Sequence, residues 1–175
     1  MTELAGGRDI VVGIDGSEAS TAALRWAASQ ARALCAEVVA VHAWEPSANR
    51  IAPYAPLSAL PTATEERDQA ARLLASTVRA VFGPRIDGSV RAVLAEGPPA
   101  RVLLEHARGA LMLAVGRTAH GEYEGPWNGS VGRECLRHAT IPVVAVPVAD
   151  RPASPLRAVK ASPLTRRERA VEVMS

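Results

Sequence analysis

Between Gly116 and Ser130 the chain gathers residues suited to holding an anion. Gly116 follows a buried-looking apolar run, Gly121 and Gly125 lie inside the segment, and Gly129-Ser130 opens a helical pattern. A helix start carries unpaired backbone N–H groups and the positive end of the helix dipole. A glycine at that point lets a phosphate come close to the backbone. Ser130 adds a hydroxyl donor, and Arg117 and His120 add side chains able to pair with phosphate. The segment is also long for a connection in an α/β protein, and such loops commonly carry function. A plainer reading stands beside this one: Ser130 caps its helix and the glycines only turn the chain.

A second stretch, Gly13-Ile14-Asp15-Gly16-Ser17, follows the first apolar run and supplies one carboxylate and two glycines. Other chemistry finds little support. The chain has no G-x-x-x-x-G-K-[ST] phosphate loop, no G-x-G-x-x-G dinucleotide turn and no G-x-S-x-G nucleophile elbow. The run Leu94-Ala95-Glu96-Gly97 lacks the Asp that a phospho-acceptor site would need there. His42, at a strand end, and His106 and His138, on helices, read as structural or surface residues. Trp127 reads as packing the long loop onto the body.

The elements that must position these groups alternate regularly. Ile10–Ile14, Val38–Val41, Val90–Leu94, Leu111–Val115 and Val143–Val146 are short runs rich in β-branched residues, the pattern of strands buried on both faces. Helical periodicity separates them. Leu24, Ala27, Ala28, Ala31, Leu34 and Cys35 share one face after an N-cap at Ser17. Ala70, Leu74, Thr77, Val78 and Val81 share another, stopped by Gly83-Pro84. A short helix enters through Pro98-Pro99 and ends by Gly109, and a fourth runs from Gly129-Ser130 to a stop before Pro142. Such alternation implies an α/β fold: five parallel strands with helices on both faces, joined by right-handed crossovers. In such a sheet ligands bind outside the carboxyl ends of strands, where strand order reverses. Pro46 to Thr64 reads as a long surface loop, and residues 149–175, with a basic end, as a flexible tail.

Composition narrows the function classes. The 175 residues suit one domain, read here as 8–148. A net charge of +2, with aromatics only 3%, gives no platform for nucleic acid. No apolar run approaches the roughly 18 residues of a membrane span, and Met1 to Asp9 has no export pattern, so a cytoplasmic protein is expected. Cys35 and Cys135 have no ligand partners at metal spacing and read as two small buried side chains.

The long loop resembles the signature of the universal stress protein family: Gly, two residues, Gly, nine residues, then Gly-Ser or Gly-Thr. Gly116 matches, Arg117 and Thr118 are the spacer, Ala119 stands at the second Gly, and His120 to Asn128 lead to Gly129-Ser130 in register. Val12–Ser17 resembles the family's first strand and turn, Val39–Ala43 its second strand, and Gly129–Val146 its last helix and strand. The resemblance covers residues 8 to 148. It implies a Rossmann-like sheet, of the adenine nucleotide alpha hydrolase type, in the order 3-2-1-4-5, which sets Asp15 beside the Gly116 loop. It implies an adenine-nucleotide site for ATP; the Asp15 carboxylate could there hydrogen-bond a ribose hydroxyl or hold Mg²⁺ through water. The implied contacts are Gly13, Ile14 and Asp15 after the first strand, and the backbone of Ala43 toward adenine. Val115, Gly116, Ala119, Gly129, Ser130 and Val131 would lie toward ribose and phosphates, with Arg117 and His120 in reach of phosphate.

Ala119 departs from the motif. If its backbone needs positive φ, the methyl costs about 1–2 kcal/mol, roughly tenfold in affinity. No general base is evident beside the loop, so the expected role is regulatory binding in a stress response, with ATP hydrolysis slow or partner-dependent at most. A same-fold interaction module without nucleotide is the alternative, and a hydrolase using Asp15 or His120 to orient water is a third reading. The last strand, a sheet edge in the implied order and bare of charge, predicts a homodimer built on that edge.

Overall fold

Val, Ile and Ala runs only a few residues long cannot bury themselves as helices. They do so as strands, flanked on both sides by Ala-rich helices. The computed structural model describes residues 7–47, 61–84, 88–117 and 129–148. The tail after residue 148, most of the 46–64 loop, and Ala119 and His120 lie outside the described residues.

The strands are β1 (Asp9–Gly13), β2 (Glu37–Trp44), β3 (Val90–Glu96), β4 (Met112–Arg117) and β5 (Val143–Pro147). The helices are α1 (Glu18–Leu34), α2 (Ala63–Phe82), α3 (Pro99–His106) and α4 (Ser130–His138). All four strand pairings are parallel, and the sheet order is β3-β2-β1-β4-β5, as the resemblance implies. The order reverses between β1 and β4, whose carboxyl ends therefore flank the switch point.

Alternation along the strands sends side chains to two cores. Ile10, Val12, Val38, Ala40 and Ala114 pack with Leu24, Ala27, Leu74 and Val78 of α1 and α2. Val11, Val39, Val41, Leu113 and Val115 pack with Val102, Leu103 and Cys135 of α3 and α4. Small residues set the spacing of α1. A Cβ added at Gly116 would lie 2.6 Å from Ser20 N and closer still to the carbonyl group of Ala19. The first turn of α1 thus lies directly on the end of β4, which only glycine permits.

Three expectations are corrected. Helix α2 begins at Ala63, so the surface loop does not reach Thr64. Thr62 and Glu65 form a reciprocal capping box, with Glu65 N donating to Thr62 Oγ1 over 3.2 Å and Thr62 N to Glu65 Oε2 over 2.8 Å. Cys35 is not buried: it is the exposed C-cap of α1, in left-handed backbone with φ 51°. The apolar face of α1 ends a turn earlier, at Ala31. Strand β2 continues beyond its apolar run through His42, Ala43 and Trp44, because these pair in register with Leu94, Ala95 and Glu96 of β3.

Candidate functional site

A cleft of about 280 Å³ opens at the carboxyl ends of β1, β2 and β4. Its position follows from the sheet order, since the crossovers from β1 and β4 leave in opposite directions and their loops part above the switch point. Nine of the sequence-derived site residues border it: Gly13, Ile14, Asp15, Ala43, Val115, Gly116, Gly129, Ser130 and Val131. Arg117 ends β4 one residue past Gly116 but does not line the cleft, and its Nε is buried without a hydrogen-bond partner among the described residues. Ala119 and His120 lie outside the described residues. A larger open groove of about 800 Å³ runs beside α3 and α4. It collects surface charges of both signs, and none of the sequence-derived residues borders it.

Of the helix starts at the cleft, those of α1 and α4 differ in what they offer. The start of α1 is already satisfied: Ser17 Oγ accepts from Ser20 N over 3.1 Å, and Asp15 Oδ1 accepts from Ser17 N over 2.9 Å. The start of α4 is bare among the described residues, because its N-cap is Gly129 and no described side chain caps it. A Cβ at Gly129 would meet none of the described residues within 4 Å, and its φ of −54° needs no glycine. Among the described residues nothing covers the first N–H groups of α4, the arrangement that favours an anion. Gly116 has a different reason to be glycine, the approach of α1, although it also lines the cleft.

The walls are mixed. Val41, Pro99, Leu103, Val115 and Val131 supply apolar surface. Asp15 and His42 are the titratable side chains among the described lining residues. Burial alone would raise the Asp15 carboxyl, but hydrogen bonds from the Ser17 hydroxyl and N–H, with a further one from Ser20, hold it below its ordinary value. It is therefore a carboxylate at neutral pH. Among the described residues no group of three or more His, Cys, Asp or Glu could hold a metal ion. Asp15 alone would serve a cation only through water and ligand oxygens.

The β1–β2 ladder stops inside the cleft. Ile14 N donates to Val41 O over 2.8 Å, and the pairing ends at Gly13 with Val41. In a regular parallel ladder Ala43 N would next donate to Ile14 O. That bond is absent, and His42 Nδ1 lies 2.7 Å from Ile14 O instead. A carbonyl only accepts, so Nδ1 carries the proton and donates. Ala43 is left with its N–H and C=O turned toward the β1 side, unpaired among the described residues, on the cleft wall. His42 was read from sequence as a bland strand-end residue. Its acceptor is 28 residues away, and no local pattern points to it.

Comparison with known proteins agrees with this frame. The profile of the Universal stress protein family matches residues 7–147. A curated universal stress protein of Mycolicibacterium smegmatis is 32% identical over 138 residues, covering 78% of this chain and 45% of that protein. One of Mycobacterium tuberculosis is 30% identical over 141 residues, covering 78% and 46%. The chain thus spans about half the length of the curated relatives it matches. Among solved structures, a universal stress protein family member from Burkholderia pseudomallei superposes with a TM-score of 0.57 at 27% identity, covering 80% of this chain and 96% of that one. A universal stress protein in complex with cAMP superposes with a TM-score of 0.56 at 22% identity, covering 81% and 98%, and shares the fold.

Proposed function

Because the chain belongs to the universal stress protein family, we propose that its cleft binds an adenine nucleotide, ATP in the first instance, in a regulatory role in the response to stress. The observation that carries the reading is the backbone N–H and C=O of Ala43, unpaired among the described residues, on the same cleft as the start of α4, which no described side chain caps. A neighbouring donor and acceptor match the edge of adenine that presents a ring nitrogen beside an amino group. Val41, Leu103 and Val131 would sandwich the base. Asp15 would accept from a ribose hydroxyl, and the N–H groups of Ser130 and Val131 would take phosphate oxygens, with Gly129 leaving them room. Mg²⁺, where present, would sit between phosphates and the Asp15 carboxylate through water. The solved relative in complex with cAMP supports an adenine-containing ligand.

The role is binding rather than turnover. Of the two titratable groups lining the described cleft, His42 commits Nδ1 to Ile14 and Asp15 is tied to Ser17. Neither is placed as a free general base, so any hydrolysis of ATP would be slow or depend on a partner. Two free cysteines, one of them exposed, suit a reducing cytoplasm, and no helix among the described residues is long and apolar enough to cross a membrane. Thermal unfolding with and without ATP and Mg²⁺ tests the reading. A ligand at a hundred times its dissociation constant adds about 2.7 kcal/mol of stability. An unchanged midpoint at millimolar ATP, ADP and AMP would leave the alternative, an interaction module of the same fold.

A further inference from the structure

A parallel ladder ends where its strands part or where a competing group takes the next partner. Beyond Gly13 the chain of β1 still runs beside β2, close enough for Ile14 N to reach Val41 O at 2.8 Å. The next bond, Ala43 N to Ile14 O, is geometrically due and is not made. What differs at that step is the imidazole of His42, whose Nδ1 sits 2.7 Å from the same carbonyl oxygen.

From this we infer that His42 is a positioning residue for the cleft: by occupying Ile14 O it stops the β1–β2 ladder one bond early and keeps the Ala43 N–H open to a ligand. The inference rests on the reading of Ala43 as the contact to the adenine edge. It goes beyond that reading by naming the side chain that makes the contact possible. Among the described residues the half-buried ring has no other hydrogen bond and the Ile14 carbonyl has no other donor. The same bond fixes the peptide that leads into Asp15, so one imidazole sets both the base-recognising backbone and the turn bearing the carboxylate. An apolar residue at position 42 would return Ile14 O to the ladder. An unpaired half-buried carbonyl costs free energy, and Ala43 N is its nearest due donor. The sheet would then gain a bond and the cleft would lose a donor.

The test compares wild type with His42→Leu and His42→Asn. Asn carries an amide N–H in the place of Nδ1–H and should keep the bond. Water-exchange NMR on the protein without nucleotide should show a fast-exchanging Ala43 amide in wild type and in His42→Asn, slowed about tenfold or more in His42→Leu. Calorimetry with AMP should show affinity about tenfold weaker in His42→Leu and restored in His42→Asn, the size of one hydrogen bond to the ligand. A ¹⁵N spectrum of the wild-type ring should show the neutral tautomer protonated on Nδ1, a readout that survives if the Leu variant does not fold. A protected Ala43 amide in wild type, an Nε2–H tautomer, or a Leu variant with unchanged exchange would each overturn the inference. If exchange and tautomer behave as stated while wild type binds no AMP, His42 keeps its place in the ladder and the nucleotide reading alone fails.

Discussion

Two glycines of one motif should respond oppositely to substitution. Gly116→Ala places a Cβ 2.6 Å from Ser20 N, with the Ala19 carbonyl group nearer still. Backbone cannot swing aside as a side-chain tip can, so α1 must lift from β4. Overpacking of this kind costs about 1–3 kcal/mol, and contact with backbone puts the change at the upper end. For a domain of this size that lowers the unfolding midpoint by about 5–10 °C. Gly129→Asp meets no described atom within 4 Å, and Asp is a good N-cap, so stability should hold or rise by a few tenths of a kcal/mol. Its carboxylate, however, takes the N–H groups proposed for phosphate and repels one. Two unit charges about 4 Å apart near a protein surface interact by about 4 kcal/mol, enough to remove measurable ATP binding. Calorimetric melting and ATP titration of both variants decide. A Gly116→Ala protein that melts with wild type would refute the close contact. A Gly129→Asp protein that binds ATP as wild type does would place the anion elsewhere.

Further expectations concern thiols, pH and assembly. Burial, with Glu134 nearby, pushes the Cys135 thiol up to about 11, so iodoacetamide at pH 8 should modify exposed Cys35 and spare Cys135 in the folded protein; equal labelling of both contradicts this. Cys35→Gly relieves left-handed strain at the α1 C-cap and should stabilise by about 1 kcal/mol, read as a higher urea midpoint. Burial lowers the His106 pKa, with Glu105 opposing and Arg91 adding to the shift. The unfolded chain therefore binds the proton more readily. Stability from this group is complete above its ordinary value near 6.5 and is lost as pH falls through the lower folded value. Urea unfolding at pH 7.5 and 5.5 should show a smaller loss in His106→Gln than in wild type. Strand β5, an uncharged sheet edge, should pair with a second copy. Ala145→Lys, at an edge position outside both core clusters, should give a folded monomer by light scattering where wild type is a dimer.

The strands were legible because β-branched runs such as Ile10-Val11-Val12 are buried on both faces and need no tertiary information to be seen. The ends of β2 were not, since His42, Ala43 and Trp44 join the strand only by pairing with Leu94, Ala95 and Glu96. The start of α2 was written in Thr62 and Glu65, but the Pro- and Ala-rich stretch before it drew the loop two residues too far. Cys35 continued the apolar face of α1 on a helical count and was misplaced because the helix ends there. The cleft residues came from order along the chain combined with the resemblance, and the described ones other than Arg117 converge. What no pattern reveals is the pairing of His42 with Ile14, which depends on where a neighbouring strand stops. The reason for Gly116 was likewise hidden, because it lies in the path of α1.

Titration calorimetry of the wild-type protein with AMP, ATP and GMP tests the central claim most directly. The expected result is one site with micromolar affinity for the adenine nucleotides and at least tenfold weaker binding of GMP, whose base presents the donor and acceptor of that edge in reverse. No heat with either adenine nucleotide at millimolar concentration, or equal affinity for GMP, would contradict it.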